Sequence, residues 1–218
     1  MEKSHETQLA VRSRVYENIG LLSQAMASPI RLRILQTLAN SPSTVENISQ
    51  KTFESVANTS QHLQKMLRAG LLRCEKRGLS RIYSLANDQV LELWLSLQKL
   101  GYQLSPQVQQ DEEILCPTEL CSPLSLDEVW KMIKSGKGTL LDVRDVEDAE
   151  GSPVASATTI PASQIKKRFH EIPKSKTIFV FCRGRYCSLA NTAVETLRKN
   201  GYKAFRLREM SYEIEKYS

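Results

Sequence analysis

The sequence has no long apolar run. No stretch approaches the length of a membrane span, and the polar residues 1–6 are not followed by an apolar segment that could serve as the core of a signal peptide. The five cysteines are an odd number in a chain without an export signal, so we expect no framework of structural disulfides. These absences predict a cytoplasmic protein that contacts no membrane and whose cysteines are reactive or metal-binding thiols.

Internal repeats and low-complexity tracts are also absent, and the composition is that of an ordinary globular protein. Hydrophobic residues make up 41% and charged residues 25% of the sequence, which excludes a predominantly disordered chain. The length of 218 residues favours two domains of roughly 100 residues each. The net charge of +6 permits binding to a polyanion, because phosphate neutralisation supplies much of the affinity for DNA.

A polar segment with three prolines divides the chain. Pro106, Pro117 and Pro123 lie in it, and proline disfavours a helix before it. The apolar periodicity before this segment is mostly helical, whereas short apolar runs alternate with helical ones after it. We therefore assign residues 1–104 to a mainly α domain, residues 105–121 to a linker and residues 122–218 to an α/β domain with a parallel sheet.

The first half contains the pattern of a helix-turn-helix. Ser28 and Pro29 begin a helix with an apolar stripe, and a short helix is expected over residues 44–50. A third helix over residues 55–69 ends at Gly70, because glycine adopts the left-handed conformation common after a helix. Two strands rich in cations then flank the turn Gly78-Leu79-Ser80 and predict a β-hairpin.

One face of the third helix carries Asn58, Gln61, His62 and Lys65, which are spaced so that they share a stripe. Amide side chains can read adenine edges bidentately in the major groove, so this stripe is a candidate DNA-reading surface. The alternative is an ordinary solvated helix face, with cations that only keep the protein soluble.

The whole first half closely resembles the ArsR-type winged-helix regulators. The resemblance is carried by residues 28–35, SPIRLRIL, by residues 56–71, VANTSQHLQKMLRAGL, and by the basic hairpin where that family has its wing. It implies a homodimer that binds double-stranded operator DNA. The implied DNA contacts are Asn58, Thr59, Ser60, Gln61, His62, Lys65, Arg77 and Arg81.

In that family the helices flanking the winged helix form the dimer interface, which here implies the segment before Met26 and residues 88–104. The apolar surface of the second segment consists of Val90, Leu91, Trp94, Leu95 and Leu97. Trp94 is equally compatible with an ordinary core position.

Many members of the family sense metals through paired cysteines in the helix before the recognition helix, but residues 44–50 contain none. We therefore predict no metal site and no cofactor. Cys74 stands alone on the hairpin and is interpreted as a small buried hydrophobe and not as a sensor.

In the second half, the strand over residues 178–181 leads into Cys182, and a helix begins at Ser188. A cysteine at a strand-to-helix turn lies beside backbone N–H groups and the positive end of a helix dipole, which stabilise a thiolate. Arg183 and Arg185 add positive charge, and Gly184 lets the turn close tightly. The alternative is a buried cysteine followed by two solvent-facing arginines.

Residues 122–207 resemble the single-domain rhodaneses. The resemblance is carried by Asp142-Val143-Arg144, by Cys182-Arg183-Gly184-Arg185-Tyr186-Cys187 and by Gly201-Tyr202. It implies that residues 182–187 form a sulfur-handling loop in which Cys182 holds a persulfide. The sequence departs from the family over residues 150–157 and after Leu207, where a Gly-Gly turn and a tryptophan are expected.

Two functions remain open at this point. The first is a DNA-binding regulator that carries or senses sulfane sulfur through a persulfide on Cys182, with a small sulfur donor or an acceptor thiol as partner. The second is a thiosulfate or polysulfide sulfurtransferase that uses its winged helix for dimerisation or docking, so enzyme activity is left undecided. Cys187 either shapes the loop or resolves the persulfide into a disulfide or polysulfide. Cys116 and Cys121 either form a bridge or contribute to a metal site.

Overall fold

The computed structural model describes residues 2–217, with side chains from Thr7 onward. The chain forms two compact units, Met1–Ser96 and Leu97–Ser218. The division between them falls within the helix that follows the hairpin.

The first unit is built on helices, and those predicted from Ser28, Thr44 and Ser55 begin within one residue of these positions. They are α1 (Glu2–Met26), α2 (Pro29–Leu38), α3 (Val45–Thr52) and α4 (Val56–Arg68). Pro29 occupies the first turn of α2, and the Thr44 and Ser55 side chains accept hydrogen bonds from the N–H groups at the starts of α3 and α4. Gly70 follows α4 with a φ of 75°, as expected for a glycine that ends a helix.

A small antiparallel sheet completes this unit. Its strands are β1 (Ser43–Thr44), β2 (Leu72–Arg77) and β3 (Ser80–Leu85), in the order β1-β3-β2. Gly78 turns the β2–β3 hairpin with a φ of 61°. The first unit therefore confirms the predicted winged helix-turn-helix fold with a hairpin wing. Helix α5 (Asp88–Leu104) begins in this unit and ends in the second.

The second unit is an α/β domain with a parallel sheet. Its helices are α6 (Pro106–Leu115), α7 (Leu126–Lys134), α8 (Val146–Gly151), α9 (Leu189–Lys199) and α10 (Ser211–Glu215), with single 3₁₀ segments at Thr118–Leu120, Ala162–Lys167 and Phe169–Glu171. Its strands are β4 (Gly138–Asp142), β5 (Ala157–Thr159), β6 (Thr177–Phe181) and β7 (Ala204–Arg206), in the parallel order β5-β4-β6-β7. The predicted α/β fold is confirmed.

Alternate residues of the central strands pack on opposite faces of this sheet. Ile178 and Val180 join the core that contains Val194 of α9, whereas Phe179 and Phe181 join the core that contains Trp130 of α7. This alternation, which follows from the two-residue period of a strand, buries every residue of β6. The rigid strand ends immediately before Cys182.

More than half of the expected linker, residues 105–121, is helical, because residues 106–115 form α6. Ser105 caps this helix by accepting a hydrogen bond from the Val108 N–H, and Pro106 stands at its first position. Proline at that position starts a helix because its missing N–H has no intrahelical partner to lose. The three prolines therefore indicate the helix start and the following loop, and not a structureless tether.

A buried ion pair fixes the end of β4. The Arg144 guanidinium donates to both carboxylate oxygens of Asp142, with an Nη2–Oδ2 distance of 2.7 Å, and also to the Ser152 carbonyl and the Ser211 hydroxyl. Both charged side chains are almost fully buried. Several hydrogen bonds are needed because a buried charge is stable only when its lost hydration is replaced.

Substitution Asp142→Ala should destabilise the second unit by about 3–5 kcal/mol, because it leaves the Arg144 charge buried and unpaired. Trp130 is the tryptophan of this unit and Trp94 that of the first. Denaturant unfolding followed by fluorescence in a Trp94→Phe background therefore reports on the second unit.

Glu171→Ala is the matched control, because it removes one carboxylate from the partly exposed Arg168–Glu171 pair of the same unit. Its expected cost is small, because solvent screens an ion pair at the surface. Equal effects of the two substitutions would contradict the structural role of the Asp142–Arg144 pair.

Candidate functional site

The recognition helix α4 turns one face to the core of the first unit and one to solvent. Leu63 and Met66 are fully buried, whereas Gln61 and Lys65 are exposed. Thr59 is also fully buried, so its expected contact with DNA is wrong. The helical period places it on the same face as Leu63 and Met66, four and seven residues later.

Two other residues of the predicted stripe already have partners within the protein. The Asn58 amide donates to Glu54 at 2.8 Å, and Glu54 also binds Arg33 at 2.6 Å. His62 lies 3.5 Å from the Arg31 guanidinium, and burial, followed by the charges of Arg31 and Lys65, lowers the pKa of His62. The neutral imidazole is therefore the favoured form.

Of the predicted stripe, Gln61 and Lys65 are therefore the exposed members, with Ser60 half-buried beside them. In the turn between α3 and α4, Phe53 adopts a left-handed φ of 58°, and 89% of its surface is exposed. The Phe53 side chain therefore does not contribute to the core of the first unit.

The hairpin presents Arg77 and Arg81 to solvent, as predicted for a wing. Arg77 lies 3.2 Å from Glu75 in an exposed ion pair, which solvent screens. Cys74 is exposed on the same hairpin, so its interpretation as a small buried hydrophobe is wrong. It lies on β2 directly opposite Tyr83 and on the same face of the hairpin, but the Cys74 side chain stays exposed whereas Tyr83 is buried.

The long helix α1 exposes an apolar stripe. Val11, Val15 and Ile19 recur at intervals of four residues and are 44%, 50% and 56% exposed. On α5 the predicted apolar surface divides in two. Leu91 and Trp94 are core residues, since both are buried and the Trp94 indole donates to Gln36 at 2.9 Å; Leu93, Leu97 and Leu100 are exposed.

Residues 182–187 form the turn between β6 and α9, where the sequence predicts it. Gly184 adopts a φ of 89°, a region that side-chain-bearing residues avoid, and its carbonyl accepts a hydrogen bond from the Cys187 N–H. Cys182 is 1% exposed, and the Ala190 N–H at the start of α9 is directed at its sulfur. Tyr186 is half-buried on the same turn.

The two cysteines of this turn interact directly. The Cys182 thiol donates to the Cys187 carbonyl at 3.3 Å. The interaction with the Cys182 side chain lowers the pKa of Cys187 to about 5, with help from the backbone N–H groups of Leu189 and Arg183 and against the effect of burial. The contact with Cys187 and burial raise the pKa of Cys182. The expected thiolate therefore resides on Cys187 at rest, while Cys182 holds the proton.

Both arginines of the turn are held by carboxylates. Arg183 binds Asp145 and Asp148 of the α8 region, each at 2.5 Å, and Arg185 binds Glu112 of α6 at 2.8 Å. Asp148 and Glu112 are buried. The arginines are therefore neither free cations for an anionic ligand nor simply solvent-facing, which were the two expectations.

A third arginine, Arg206 at the end of β7, lies fully buried beneath the turn. Its Nη2 donates to the carbonyls of Gly184 and Arg185, and its Nη1 donates to the Leu115 carbonyl and to the Asn191 side chain. One guanidinium thereby joins the turn, the end of α6 and the start of α9. Its charge also favours the thiolate of Cys182.

Sequence reasoning missed the partners of the turn, which are Glu112, Asp145, Asp148, Asn191 and Arg206. Arg206 carries a detectable signal, because it is the only charged residue in the short run Ala204-Phe205-Arg206-Leu207, typical of a buried strand. The carboxylates carry none, since their pairing with Arg183 and Arg185 spans 35 to 73 residues.

Within the described residues no group of three His, Cys, Asp or Glu side chains is placed to hold a metal ion. In the same part of the chain no helix is both long and apolar enough to cross a membrane.

Comparison with known families assigns each unit separately. Residues 26–75 match the helix-turn-helix domain family, and residues 125–213 match the rhodanese-like domain family. Helix α6 and its Glu112 lie between the two matched ranges.

Three relatives cover different parts of the chain. The HTH-type transcriptional regulator Rv0324 of Mycobacterium tuberculosis is 27% identical over 199 residues, which are 90% of this chain and 86% of that protein. The HTH-type transcriptional regulator YgaV of Escherichia coli is 33% identical over 95 residues, 43% of this chain and 96% of that protein. The putative sulfur carrier protein YrkF of Bacillus subtilis is 28% identical over 82 residues, 37% of this chain and 43% of that protein.

The alkylation rate of Cys187 should be high at neutral pH and fall only as the pH drops through about 5, because the thiolate is the reacting form and its pKa is lowered to about 5. The rate is measured with iodoacetamide as a function of pH. Digestion with trypsin identifies the modified residue, because Cys187 lies on the peptide between Arg185 and Arg198.

Cys182→Ala removes the donor that lowers the pKa and should move the midpoint of this profile upward, toward the value of about 8.5 for an ordinary cysteine. A midpoint near 8.5 already in the unchanged protein would show that the turn does not lower the pKa of Cys187.

Proposed function

Because the chain belongs to the ArsR-type winged helix-turn-helix regulators and carries a C-terminal rhodanese-like domain, we propose that it regulates transcription in response to sulfane sulfur. A homodimer binds operator DNA through α4 and the wing, and Cys182 accepts sulfur as a persulfide. The observation that carries the proposal is the Cys182–Cys187 pair, which one strand-to-helix turn holds together, with the buried Cys182 thiol 3.3 Å from the Cys187 carbonyl.

The DNA-reading surface is assigned to the exposed groups. Gln61 contacts base edges, while Lys65 of α4 and Arg77 and Arg81 of the wing bind phosphates. Asn58 and His62 take part only after leaving Glu54 and Arg31, so their contribution is smaller in this proposal. Ser60 lies between these groups and binds the backbone of the DNA.

The dimer is assigned to the apolar surfaces of α1 and α5. An amphipathic helix normally covers its apolar stripe, and the exposed Val11, Val15 and Ile19 of α1 have no such cover. A second copy of the chain supplies it, as the family resemblance implies. Leu97 and Leu100 of α5 add to the same kind of surface.

The sulfur step uses both cysteines of the turn. Cys187 takes the proton of Cys182 while the Cys182 sulfur attacks the outer sulfur of a persulfide, R–S–SH. The S–S bond of the donor breaks, R–S⁻ leaves, and the products are Cys182–S–SH and a neutral Cys187 thiol. The putative sulfur carrier among the relatives supports sulfur binding by this domain.

The charges around the turn favour a persulfide over thiosulfate as the donor. Arg183 and Arg185 are paired with Asp145, Asp148 and Glu112, so a dianion would meet carboxylates and find few free cations. A monoanionic or neutral persulfide has a smaller electrostatic cost. This is why we place carrying and sensing of sulfur ahead of thiosulfate turnover.

In this proposal, persulfide formation at the turn also changes the position of α6. Cys182 is 1% exposed, so an added sulfur atom must displace neighbouring atoms. The turn is bonded through Arg185 to Glu112 and through Arg206 to the Leu115 carbonyl, both on α6. We assign α6 the role of the element that moves when sulfur binds; it follows α5 in the chain after Ser105.

Gln61→Ala and Lys65→Ala should weaken binding to the promoter DNA of the protein's own gene in different ways. Gln61→Ala should cost about 1–3 kcal/mol and reduce discrimination between sequences, because it removes a base contact. Lys65→Ala should weaken all duplexes similarly and reduce the slope of log affinity against log salt by about 1. Fluorescence anisotropy over a range of salt concentrations measures both.

Lys167→Ala is the control for charge, since Lys167 is an exposed lysine of the second unit. If it lowers the salt slope as much as Lys65→Ala does, α4 has no special role in binding DNA.

Treatment with a hydropolysulfide should change the affinity of the unchanged protein for this promoter by about 5- to 150-fold, the range of typical allosteric coupling. Cys182→Ser should abolish the change without altering affinity before treatment. Cys74→Ser, which removes the exposed cysteine of the wing, should keep the change. A full response in Cys182→Ser would show that the sulfur acts elsewhere.

A further inference from the structure

A second pair of cysteines lies in the same unit, outside both ranges matched by known families. Cys116 follows the last residue of α6, and Cys121 follows the 3₁₀ segment Thr118–Leu120. Their sulfur atoms are 3.5 Å apart, and both side chains are buried, with 1% and 6% of their surface exposed. The segment between them therefore brings two thiols into direct contact.

The two thiols are not equivalent. The Cys121 sulfur donates to the Pro117 carbonyl at 3.3 Å and contacts Cys116, and this contact with Cys116 and burial raise the pKa of Cys121. The pKa of Cys116 is lowered to about 7 by the hydrogen bond with Cys121, against burial and with help from Arg206 and Arg208. Cys116 is thus the nucleophile of the pair and Cys121 the proton-holding partner.

Arg206 links this pair to the turn described above. Its Nη1 binds the carbonyl of Leu115, the residue before Cys116, and its Nη2 binds the carbonyls of Gly184 and Arg185. Its Nε has no hydrogen-bond partner among the residues that the structure describes. The charge of this buried cation acts on Cys116, Cys121 and Cys182, so its acidic neighbours are thiols.

A metal does not account for the pair. A zinc site needs at least three protein ligands, and the described residues offer no third His, Cys, Asp or Glu beside the two cysteines. An ordinary core position does not account for it either, because a core cysteine has no need of a second thiol or of two arginines.

We propose that Cys116 and Cys121 form a second sulfur-reactive site, which a small hydropolysulfide or persulfide converts into an intrachain disulfide. The class of donor rests on the proposed function. The site is otherwise independent of Cys182, because its own cysteines supply both the nucleophile and the resolving thiol. Its burial restricts it to small donors.

The reaction has two steps. The Cys116 thiolate attacks the outer sulfur of R–S–SH, whose S–S bond breaks, and gives Cys116–S–SH and R–S⁻. The Cys121 sulfur then attacks the inner sulfur of this persulfide, so that the Cys116–Cys121 bond forms and hydrogen sulfide leaves with the Cys121 proton. Two cysteine sulfurs are oxidised, and the sulfane sulfur is reduced to sulfide.

This chemistry would be felt at the turn. The disulfide removes the thiolate charge that Arg206 and Arg208 stabilise and shortens the distance between the end of α6 and the bridge that pairs Cys121 with Arg206. Arg206 holds both the end of α6 and the turn, so closure of the Cys116–Cys121 pair should lower the reactivity of the Cys182–Cys187 pair. The second site thereby sets how strongly the first one responds.

The test is peptide mapping of the whole protein after anaerobic treatment with a hydropolysulfide, followed by alkylation under denaturing conditions. Cys116 and Cys121 lie on one tryptic peptide, between Lys99 and Lys131, whereas Cys182 and Cys187 lie on two different peptides because trypsin cuts after Arg183 and Arg185. We expect the first peptide to escape alkylation and to lose the mass of two hydrogen atoms.

Variants assign the steps and separate this site from the first. In a Cys74→Ser, Cys182→Ser, Cys187→Ser chain the peptide should still close, with release of one sulfide per chain. Adding Cys121→Ser should leave a persulfide on Cys116 and no disulfide. If a variant fails to fold, the map of the unchanged protein still decides.

Two alkylated cysteines on the peptide of the treated, unchanged protein would overturn the proposal, as would a disulfide without sulfide release, which would indicate another oxidant. Closure of this peptide with no sulfur on Cys182 would instead overturn the proposed function and leave the second site standing. Sulfur on Cys182 with both Cys116 and Cys121 still alkylated would do the reverse.

Discussion

The buried guanidinium of Arg206 is the interaction on which the sulfur-binding part of the molecule depends. Removing a charge from water is costly unless hydrogen bonds replace its hydration, and here the replacements are carbonyl and amide oxygens from three segments that are distant in the sequence. The turn, α6 and α9 must therefore keep their mutual positions for the charge to remain solvated. Because these oxygens carry no formal charge, the charge of Arg206 is left to favour the thiolate forms of the neighbouring cysteines.

The chemistry of the Cys182 turn depends on how its two arginines are paired. Arg183 and Arg185 are consumed by carboxylates, so a bound anion must rely on backbone N–H groups and on the neighbouring thiol. Such a site suits a sulfur atom that replaces a proton on an existing thiol better than it suits a large, fully charged donor. Under the proposed function the domain holds sulfur and does not turn over thiosulfate, as a sensor attached to a DNA-binding unit requires.

Local signals in the sequence predicted most of the fold and part of the site. Ser28 with Pro29 and Gly70 act within a few residues, and the structure has a helix that starts at Pro29 and a left-handed Gly70 after α4. The turn from β6 into α9 was predictable because a buried strand and a helix face it on either side. The burial of Thr59 was predictable too, since its spacing from Leu63 and Met66 is that of one helix face, whereas the family resemblance implied a DNA contact at this position.

The features that sequence reasoning could not reach are those made by distant pairs. Nothing local distinguishes Glu112 from its neighbours Asp111 and Glu113, yet only Glu112 is buried, because only its position on α6 faces Arg185. The pairing of Cys116 with Cys121 likewise became interpretable only when α6 and the following 3₁₀ segment were found to bring the two sulfurs together. A spacing of five residues is compatible with contact or with separation, and the backbone between them decides.

The segment between the two matched ranges, which contains α6, therefore does more than connect two domains. Helix α6 lies outside both matched ranges. In this chain α6 supplies the carboxylate that holds Arg185, the carbonyl that binds Arg206 and the reactive Cys116. Under the proposed function, α6 is the element that responds to sulfur at the turn, and the proposed dimer helix α5 precedes it in the chain.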